Sequence, residues 1–245
     1  MSSSAATSER SALRVARQIA KRVYNERIPA GTKLASESES LAEHRVSRGT
    51  LREALRFLQI HGAIELRPGP NGGQFVGDPR WQDLASTIAL LLQFANATIE
   101  TVIEARLHIE PGMASLAARN ATEADIACMS SLLDEMERRA EDYEAFYDLY
   151  LQFWDALASS SRNPLFGFLS PALRRITWTA GIRPNQEQRE GALRQLRVIH
   201  AAIAGHNESR AHQEMQRLEE GYLETMRAEY GREIHRVVSW ADSAP

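Results

Sequence analysis

The sequence predicts a mainly α-helical protein in two parts: an N-terminal winged helix-turn-helix, then an all-helical bundle of about six to seven helices. Three observations predict it. From Ser36 to Leu58 the chain spells two short amphipathic helices joined by a tight turn. Directly after them, Ile64-Glu65-Leu66-Arg67 and Gln74-Phe75-Val76 flank the turn-rich run Pro68-Gly69-Pro70-Asn71-Gly72-Gly73, which describes a β-hairpin. From Trp81 onward apolar residues recur at helical spacing in segment after segment, with no convincing strand.

Taken in order, residues 1–9 are rich in Ser and Ala and read as a mobile arm; they lack the basic start and apolar run of a signal peptide. Arg10 to Asn25 is expected as a helix, with Leu13, Val15, Ala16, Ile19, Ala20 and Val23 as its apolar stripe. Ser36 and Glu39 stand in the relation of a capping box and start the next helix, to which Leu41 and Ala42 give an apolar side. That helix stops at His44-Arg45, and Val46 reads as the buried residue of the turn. Ser47 caps the following helix, where Leu51, Ala54, Leu55 and Leu58 form the inward face. Arg48, Thr50, Arg52 and Arg56 form the other face, and Gly49 leaves room for close approach. A helix N-terminus carrying a hydroxyl and arginines suits phosphate contact and base-edge readout in a major groove. An ordinary helix pair with a solvated basic face would share this pattern; the hairpin that follows it favours the winged fold. Pro79 cannot continue a strand ladder, so the first domain is expected over 10–77 and a linker over 78–81.

The second domain is expected over 82–230. Its helices run from Trp81 to Phe94, Thr98 to Arg119 with a bend at Pro111, Glu123 to Arg139 behind Thr122 and Asp125, and Asp142 to Ala158. A further helix opens at Asn163-Pro164, and two more span Gln186 to Ala204 and Glu208 to Tyr230. Residues 231–245 form a tail, expected to extend the last helix to Trp240 before fraying.

Charge divides along the same line. Residues 1–77 hold 12 Lys and Arg against 7 Asp and Glu, whereas residues 78–245 hold 17 against 25. A basic head on an acidic body fits a DNA-binding module joined to something that does not bind DNA. The single cysteine, Cys128, excludes an internal disulfide framework and fits a reducing cytoplasm. No apolar run approaches the roughly 20 residues that span a bilayer, so no membrane partner is expected. A helical-bundle enzyme is the alternative class, but the sequence has no nucleophile elbow, phosphate-binding glycine loop or metal-ligand cluster. The acid pairs Glu187/Glu190 and Glu219/Glu220 read as solvated faces.

Several groups of residues then carry a resemblance: Pro29-Ala30-Gly31-Thr32-Lys33-Leu34, Ser36-Glu37, Leu41-Ala42, Val46-Ser47-Arg48, Leu51-Arg52-Glu53-Ala54-Leu55, Gly72-Gly73 and Phe75-Val76. Over about residues 11 to 77 the chain resembles the DNA-binding domain of the GntR family of bacterial transcription regulators. The resemblance implies that Arg48, Thr50 and Arg52 touch DNA and that Gly69, at the wing tip, approaches the minor groove. Ser36, Ser47, Gly49 and Arg45 complete the expected interface. The family often has arginine where Ser38 stands, Thr-Pro or Thr-Thr where Gly49-Thr50 stands, and a turn glycine where Arg45 stands. The operator of relatives therefore does not carry over. Arg45 is either a replacement phosphate contact or a solvent-exposed arginine.

The body resembles the FCD effector-binding domain of the FadR-like branch over about residues 85 to 228. The carrying residues include Ile103-Glu104-Ala105-Arg106, Glu110-Pro111, Leu132-Leu133-Asp134-Glu135-Met136, Phe153, Ala156-Leu157, Asn163-Pro164-Leu165, Ala202-Ile203 and Gly205. The resemblance implies a ligand cavity, a homodimer and, in many such domains, a divalent metal on one aspartate and three histidines. Here those positions carry Tyr150, Trp154, Leu196 and Leu218, none a usual zinc or nickel ligand, so no metal or other cofactor is expected. His200, His206 and His212 are spaced by six and do not share a helix face, and His108 reads as a lone surface or core histidine. Either larger side chains fill the cavity and nothing is sensed, or Tyr150, Trp154, Leu196 and Leu218 line a pocket for an organic acid or a more apolar effector, with Arg106 holding an acidic head. The bland reading of Arg106 is an ion pair with Glu110; Arg174 and Arg175 are weaker candidates. The function implied is a ligand-responsive repressor that binds a palindromic operator on double-stranded DNA as a homodimer.

Overall fold

The computed structural model describes residues 2–69 and 71–243, and the side chains from residue 9 to 242; Met1, the end of the expected tail and Pro70 of the wing turn lie outside the described residues. The chain divides into two compact units, 1–83 and 84–245.

The first unit contains α1 (Ser2–Asn25), α2 (Glu37–His44), α3 (Arg48–Ile60), β1 (Ile64–Arg67) and β2 (Gly73–Val76). Helix α1 starts at Ser2, so the segment expected as an arm continues the helix instead. The Ala and Ser residues ahead of Arg10 bring no breaker, and once the stripe beyond Arg10 is packed each added residue gains a backbone bond. Ala12, Val15, Ala16 and Ile19 of α1 bury against Leu51, Ala54, Leu55 and Leu58 of α3 and Ile64 of β1. Leu13 is only half-buried and Ala20 is exposed. In α2, Leu41 is half-buried while Ala42 faces solvent. Its capping box is complete: the Ser36 N–H donates to Glu39 at 2.8 Å, and Ser36 Oγ accepts from the Glu39 N–H at 3.3 Å.

Strands β1 and β2 pair antiparallel, Ile64 opposite Val76 and Arg67 opposite Gly73. Ahead of α2, the segment 31–34 lies along β2 as a further extended stretch: the Leu34 N–H donates to Gln74 O at 2.8 Å and the Val76 N–H to Thr32 O at 2.9 Å. At the wing turn, a Cβ on Gly72 would stand 2.1 Å from Arg67 O, so only glycine closes the hairpin this way.

The second unit begins within α4 (Trp81–Phe94) and continues through α5 (Ile99–Asn120), α6 (Glu123–Arg138), α7 (Tyr143–Ser160), α8 (Pro164–Trp178), α9 (Gln186–Ala204), α10 (Glu208–Glu229), α11 (Gly231–Ile234) and α12 (Trp240–Ser243). Local chemistry sets most starts. Thr98, Thr122, Asp142, Asn163, Asn185 and Asn207 each accept a hydrogen bond from a first-turn N–H, and Pro164 occupies the first turn of α8, where its missing donor costs nothing. Helix α5 packs against α7, α8, α9 and α10 and runs unbroken through Pro111.

Two apolar clusters lie along α5. One gathers Met113, Ala114 and Ala117 with Leu133, Phe153, Trp154, Leu196 and Met215; the other gathers Ile99, Val102 and Ile103 with Leu173, Ile176, Leu223 and Met226. Ile234 and Val238 join the second cluster, so the expected tail does not simply extend α10. Instead the chain turns at Tyr230. The Val238 N–H donates to Ala97 O at 2.9 Å, the Ile99 N–H to Arg236 O at 3.1 Å, and the Trp240 indole to Ser86 Oγ at 2.9 Å. Burial of these apolar side chains outweighs continuation of an exposed helix. No helix among the described residues is long and apolar enough to cross a membrane.

Candidate nucleic-acid interface and ligand pocket

In the first unit, the turn between α2 and α3 fixes what the N-terminus of α3 presents. Arg45 ends α2 in the left-handed region, at φ 52° and ψ 49°, and its N–H donates to Leu41 O at 3.0 Å. That geometry accounts for a glycine being suited to this position. Ser47 then caps α3, accepting from the Thr50 N–H at 3.2 Å, and its hydroxyl lies 2.9 Å from that of Thr50.

Arg48, Gly49, Arg52 and Arg56 are exposed, as are Ser36, Arg45, Ser47 and Gly69. Thr50 differs: only 8% exposed and held by Ser47, it shapes the helix start more than it offers a free hydroxyl. Arg52 stands 3.6 Å from Glu37 with both side chains largely solvated, a pair too weak to withhold the guanidinium from DNA. Gly69 adopts φ 98° at the wing turn, with open space where a Cβ would stand. Two wing cations were missed by sequence reasoning: Arg67 lies 4.2 Å over the Phe75 ring and Lys33 5.8 Å from the same centroid. Their signal was available, since Arg67 and Phe75 flank the turn and Lys33 belongs to the motif ahead of α2.

In the second unit, four charges lie buried along α5 between the two apolar clusters. Arg106, Glu110, Arg174 and Glu219 are 3%, 0%, 5% and 1% exposed, so none is a surface ion pair. Arg106 donates to both oxygens of Glu219, at 3.1 and 3.0 Å, and stands 3.4 Å from Glu110. Arg174 Nη2 donates to Glu219 at 3.1 Å and makes a short bond to Glu110, so two carboxylates converge on one nitrogen. Ser170 donates to Glu110 at 2.9 Å, and Arg106 donates to Thr177 at 3.3 Å. Burial pushes Glu110 up, with the adjacent Glu219 adding to the rise and Arg174 opposing it. For Glu219, burial also pushes upward, but Arg106 and Arg174 outweigh it and hold the carboxyl below its ordinary value.

Glu219 therefore corrects the expectation of a solvated acid pair; Glu220 alone faces water. The missed signal was periodicity. Glu219 falls on the stripe formed by Ala211, Met215, Leu223 and Met226, and Arg106 and Glu110 fall on the stripe of Val102, Ile103, Met113 and Ala117. A charge in the middle of a buried stripe needs a partner on another helix.

Against this cluster lies a cavity of about 430 Å3, with Arg106 and Arg174 in its wall. Tyr150 and Leu218, expected at the pocket, line it; Trp154 and Leu196 do not, being 1% and 0% exposed inside the apolar core. They bury because both lie on the inward stripes of α7 and α9. The remaining wall is largely aromatic. Tyr147 and Trp178 stack with centroids 3.6 Å apart, and Tyr143 lies nearly parallel to both. Burial raises the phenol pKa of Tyr147 and of Tyr222 above the ordinary value. Arg189 edges the cavity on hydrogen bonds to Ala140 O and Pro184 O, with no carboxylate paired to it among the described residues.

The positions at which related domains hold a metal do not fit one here. Arg174 donates to the Tyr150 hydroxyl at 3.2 Å and lies 3.1 Å from the Trp154 ring centroid, placing a cation where a second would be repelled. Among the described residues no group of three His, Cys, Asp or Glu side chains could hold a metal ion. His200 and His206 are instead bonded to the carbonyls of Ile126 and Ala118, at 3.0 and 2.9 Å, while His108 and His212 are exposed.

Comparison with known proteins agrees with this division. Residues 11–76 match the family model for bacterial regulatory proteins of the gntR family, and residues 101–220 match the FCD domain. A galactonate operon transcriptional repressor of Escherichia coli K12 is 30% identical over 165 residues, 65% of this chain and 71% of that protein. The HTH-type transcriptional regulator LutR of Bacillus subtilis 168 is 30% identical over 147 residues, 60% of this chain and 66% of that protein. Among solved structures, a Streptococcus agalactiae GntR protein superimposes with a TM-score of 0.70 at 23% identity, covering 87% of this chain and 99% of that one, a likeness of fold. The chain belongs to the GntR family of bacterial regulatory proteins, in the FadR-like branch that carries an FCD domain, and is a DNA-binding transcription regulator rather than an enzyme.

Proposed function

We propose that the protein is a ligand-responsive repressor that binds a palindromic operator as a homodimer in the cytoplasm, and that its effector enters the helical unit without a metal. The observation that carries this reading is the cavity of about 430 Å3 with two buried guanidiniums in its wall. Its size falls within the roughly 300–1,000 Å3 of small-ligand sites, which argues against a filled, unresponsive domain. Repression is the action named for the Escherichia coli relative and for NanR of Klebsiella aerogenes.

At the DNA, the Ser47-capped end of α3 offers Arg48, Gly49 and Arg52 to a major groove, Ser36 and Arg45 to the backbone, and Gly69 of the wing to the minor groove; Thr50 holds the cap in shape. Two such heads on one duplex require half-sites about one helical turn apart. An effector that prefers one arrangement of the heads shifts the population by its differential affinity. Arg106, Tyr150 and Leu218 are the side chains that meet it; Trp154 and Leu196 support the wall from behind.

Two measurements test the reading. Selection from a random duplex library with the purified full-length protein is expected to return an inverted repeat; an asymmetric single site would overturn the dimeric mode. A thermal-unfolding screen against divalent metals, small carboxylates and acyl-CoA compounds, run with and without chelator, is expected to give an organic ligand whose shift survives chelation. A shift that needs metal would overturn the metal-free pocket, and silence from every compound would overturn the effector.

A further inference from the structure

The pocket wall contains two buried guanidiniums, Arg106 and Arg174, 3% and 5% exposed. Arg106 Nε stands 3.4 Å from Glu110, and Arg106 Nη2 and Arg174 Nη2 both bond Glu219, so the two guanidiniums are fixed in place by the glutamate pair. A ligand carboxylate brings two acceptor oxygens in the geometry that a guanidinium fork suits. The wall also gathers aromatic rings in near-parallel planes: Tyr143, Tyr147 and Tyr150 differ by 6° and 22° in successive pairs, and Trp178 lies 18° from Tyr147. Parallel faces accept a flat ring in offset stacking better than a saturated one.

Charge decides when an anion can enter. With Glu110 and Glu219 both ionised, Arg106 and Arg174 are already neutralised, and a third carboxylate set against these two guanidiniums would meet a cluster with no net charge to balance it; Arg189, held at the cavity edge by the Ala140 and Pro184 carbonyls, is not part of that cluster. With one proton on the glutamate pair the cluster carries one net positive charge, and an anion balances it. The geometry favours such a proton because Glu110 and Glu219 meet at one nitrogen, close enough that each carboxylate opposes ionisation of the other, although Arg174 acts in the opposite direction. The other groups facing Glu110 supply no further positive charge: Ser170 on α8, Tyr150 and Trp154 on α7 through Arg174, and Tyr222 on α10 beside Arg106. Burial pushes Glu110 up to about 8, which keeps the proton in place at neutral pH.

We propose that the cavity takes a planar aromatic carboxylate, its acid group against Arg106 and Arg174, and that the anion binds while the Glu110–Glu219 pair holds one proton. This rests on the reading of the helical unit as an effector pocket. Effector binding and pair protonation then promote each other, so the regulator responds to its ligand and to pH together.

The test uses the full-length protein, with 2-naphthoate and its uncharged analogue 2-naphthamide as probes in isothermal titration calorimetry. 2-Naphthoate is expected to bind, the amide to bind at least tenfold more weakly, and the naphthoate affinity to fall on the order of tenfold per pH unit above the titration of the pair. Glu110→Gln, which mimics the protonated form, is expected to keep the affinity and lose the pH dependence. Should that variant fail to fold, calorimetry of the wild type at about pH 9 in two buffers of different ionisation heat reads the proton directly: about one taken up per naphthoate. Equal binding of amide and acid overturns the carboxylate, and a pH-independent affinity overturns the proton. If 2-naphthoate is silent while another class of molecule shifts unfolding in the wider screen, this inference falls and the effector pocket stands. Silence from every compound removes both.

Discussion

The two units place their charges in opposite ways. The DNA-binding head keeps an aliphatic core of Val15, Ala16, Ile19, Leu51, Leu55 and Leu58 and turns Arg48, Arg52 and Arg56 outward. The helical unit puts Arg106, Glu110, Arg174 and Glu219 on the inward stripes of three helices, between two apolar clusters. In the head, the face of α3 that packs and the face proposed to read DNA are different, so either can change without the other. In the helical unit the residues that define the pocket also hold the helices together, and a change to the one is a change to the other.

The largest expected effect breaks that coupling. Glu219→Ala leaves Arg106 and Arg174 sharing only Glu110, and removal of one partner from a buried pair costs about 3–5 kcal/mol. Calorimetric unfolding of the full-length protein should show the transition of the helical unit moving down while that of the head stays. A loss below about 1 kcal/mol would mean that water already screens the cluster. The head offers the control. Leu55→Ala, which empties part of its core, costs about 2–5 kcal/mol, and Leu55→Met, which conserves volume, costs less than about 1.5 kcal/mol. A head that tolerates neither would be packed as specifically as the charged cluster, and the contrast between the units would disappear.

That contrast also explains what could be read from the sequence. Helix starts were legible wherever a few adjacent residues decide them: Ser36 with Glu39, Thr122 with Asp125, and Asn163 with Pro164 each carry their cap within one turn. The wing was legible because its turn forces glycine at Gly72. The charged cluster was legible only in part: Arg106, its pairing with Glu110, and Arg174 could be singled out, but Arg106 meets Glu219 across 113 positions and Glu219 looks like a solvated residue beside its neighbour. Glu219 was misread through its neighbour Glu220, which does face water, although its place on the Met215 and Leu223 stripe marked it as inward. The same distance effect hid the return of Val238 to Ala97 and the pairing of Leu34 with Gln74. Trp154 and Leu196 were assigned to the right helices but to the wrong depth, since spacing fixes a face and leaves open how far the wall extends behind it.

On the outward side of the comparison, Arg48→Ala and Arg52→Ala should each weaken specific DNA binding by about 1–3 kcal/mol while leaving both unfolding transitions in place. Measuring affinity against salt separates the two possible roles. A substitution that removes a phosphate contact lowers the salt slope by about one, and one that removes a base contact relaxes specificity instead. Wild-type affinity in both variants would mean that the exposed face of α3 is not the reading face.

The smallest expected effect falls at Arg45, where the two uses of charge meet in one residue. Its left-handed conformation, φ 52°, costs an L-residue roughly 1–2 kcal/mol that glycine does not bear. Glycine also gives the unfolded chain more freedom, worth roughly 0.5–1 kcal/mol in the other direction. Arg45→Gly should therefore leave the stability of the head unchanged or raise it by no more than about 1.5 kcal/mol. If the exposed guanidinium contacts a phosphate, the same substitution weakens DNA binding and lowers the salt slope even as stability holds or rises. Arg45→Asn separates the causes, because asparagine tolerates the left-handed region and carries no charge. Equal loss of affinity in the Gly and Asn variants assigns the effect to the guanidinium. Wild-type affinity in both would return Arg45 to its place as a helix end and leave Arg48 and Arg52 to hold the duplex.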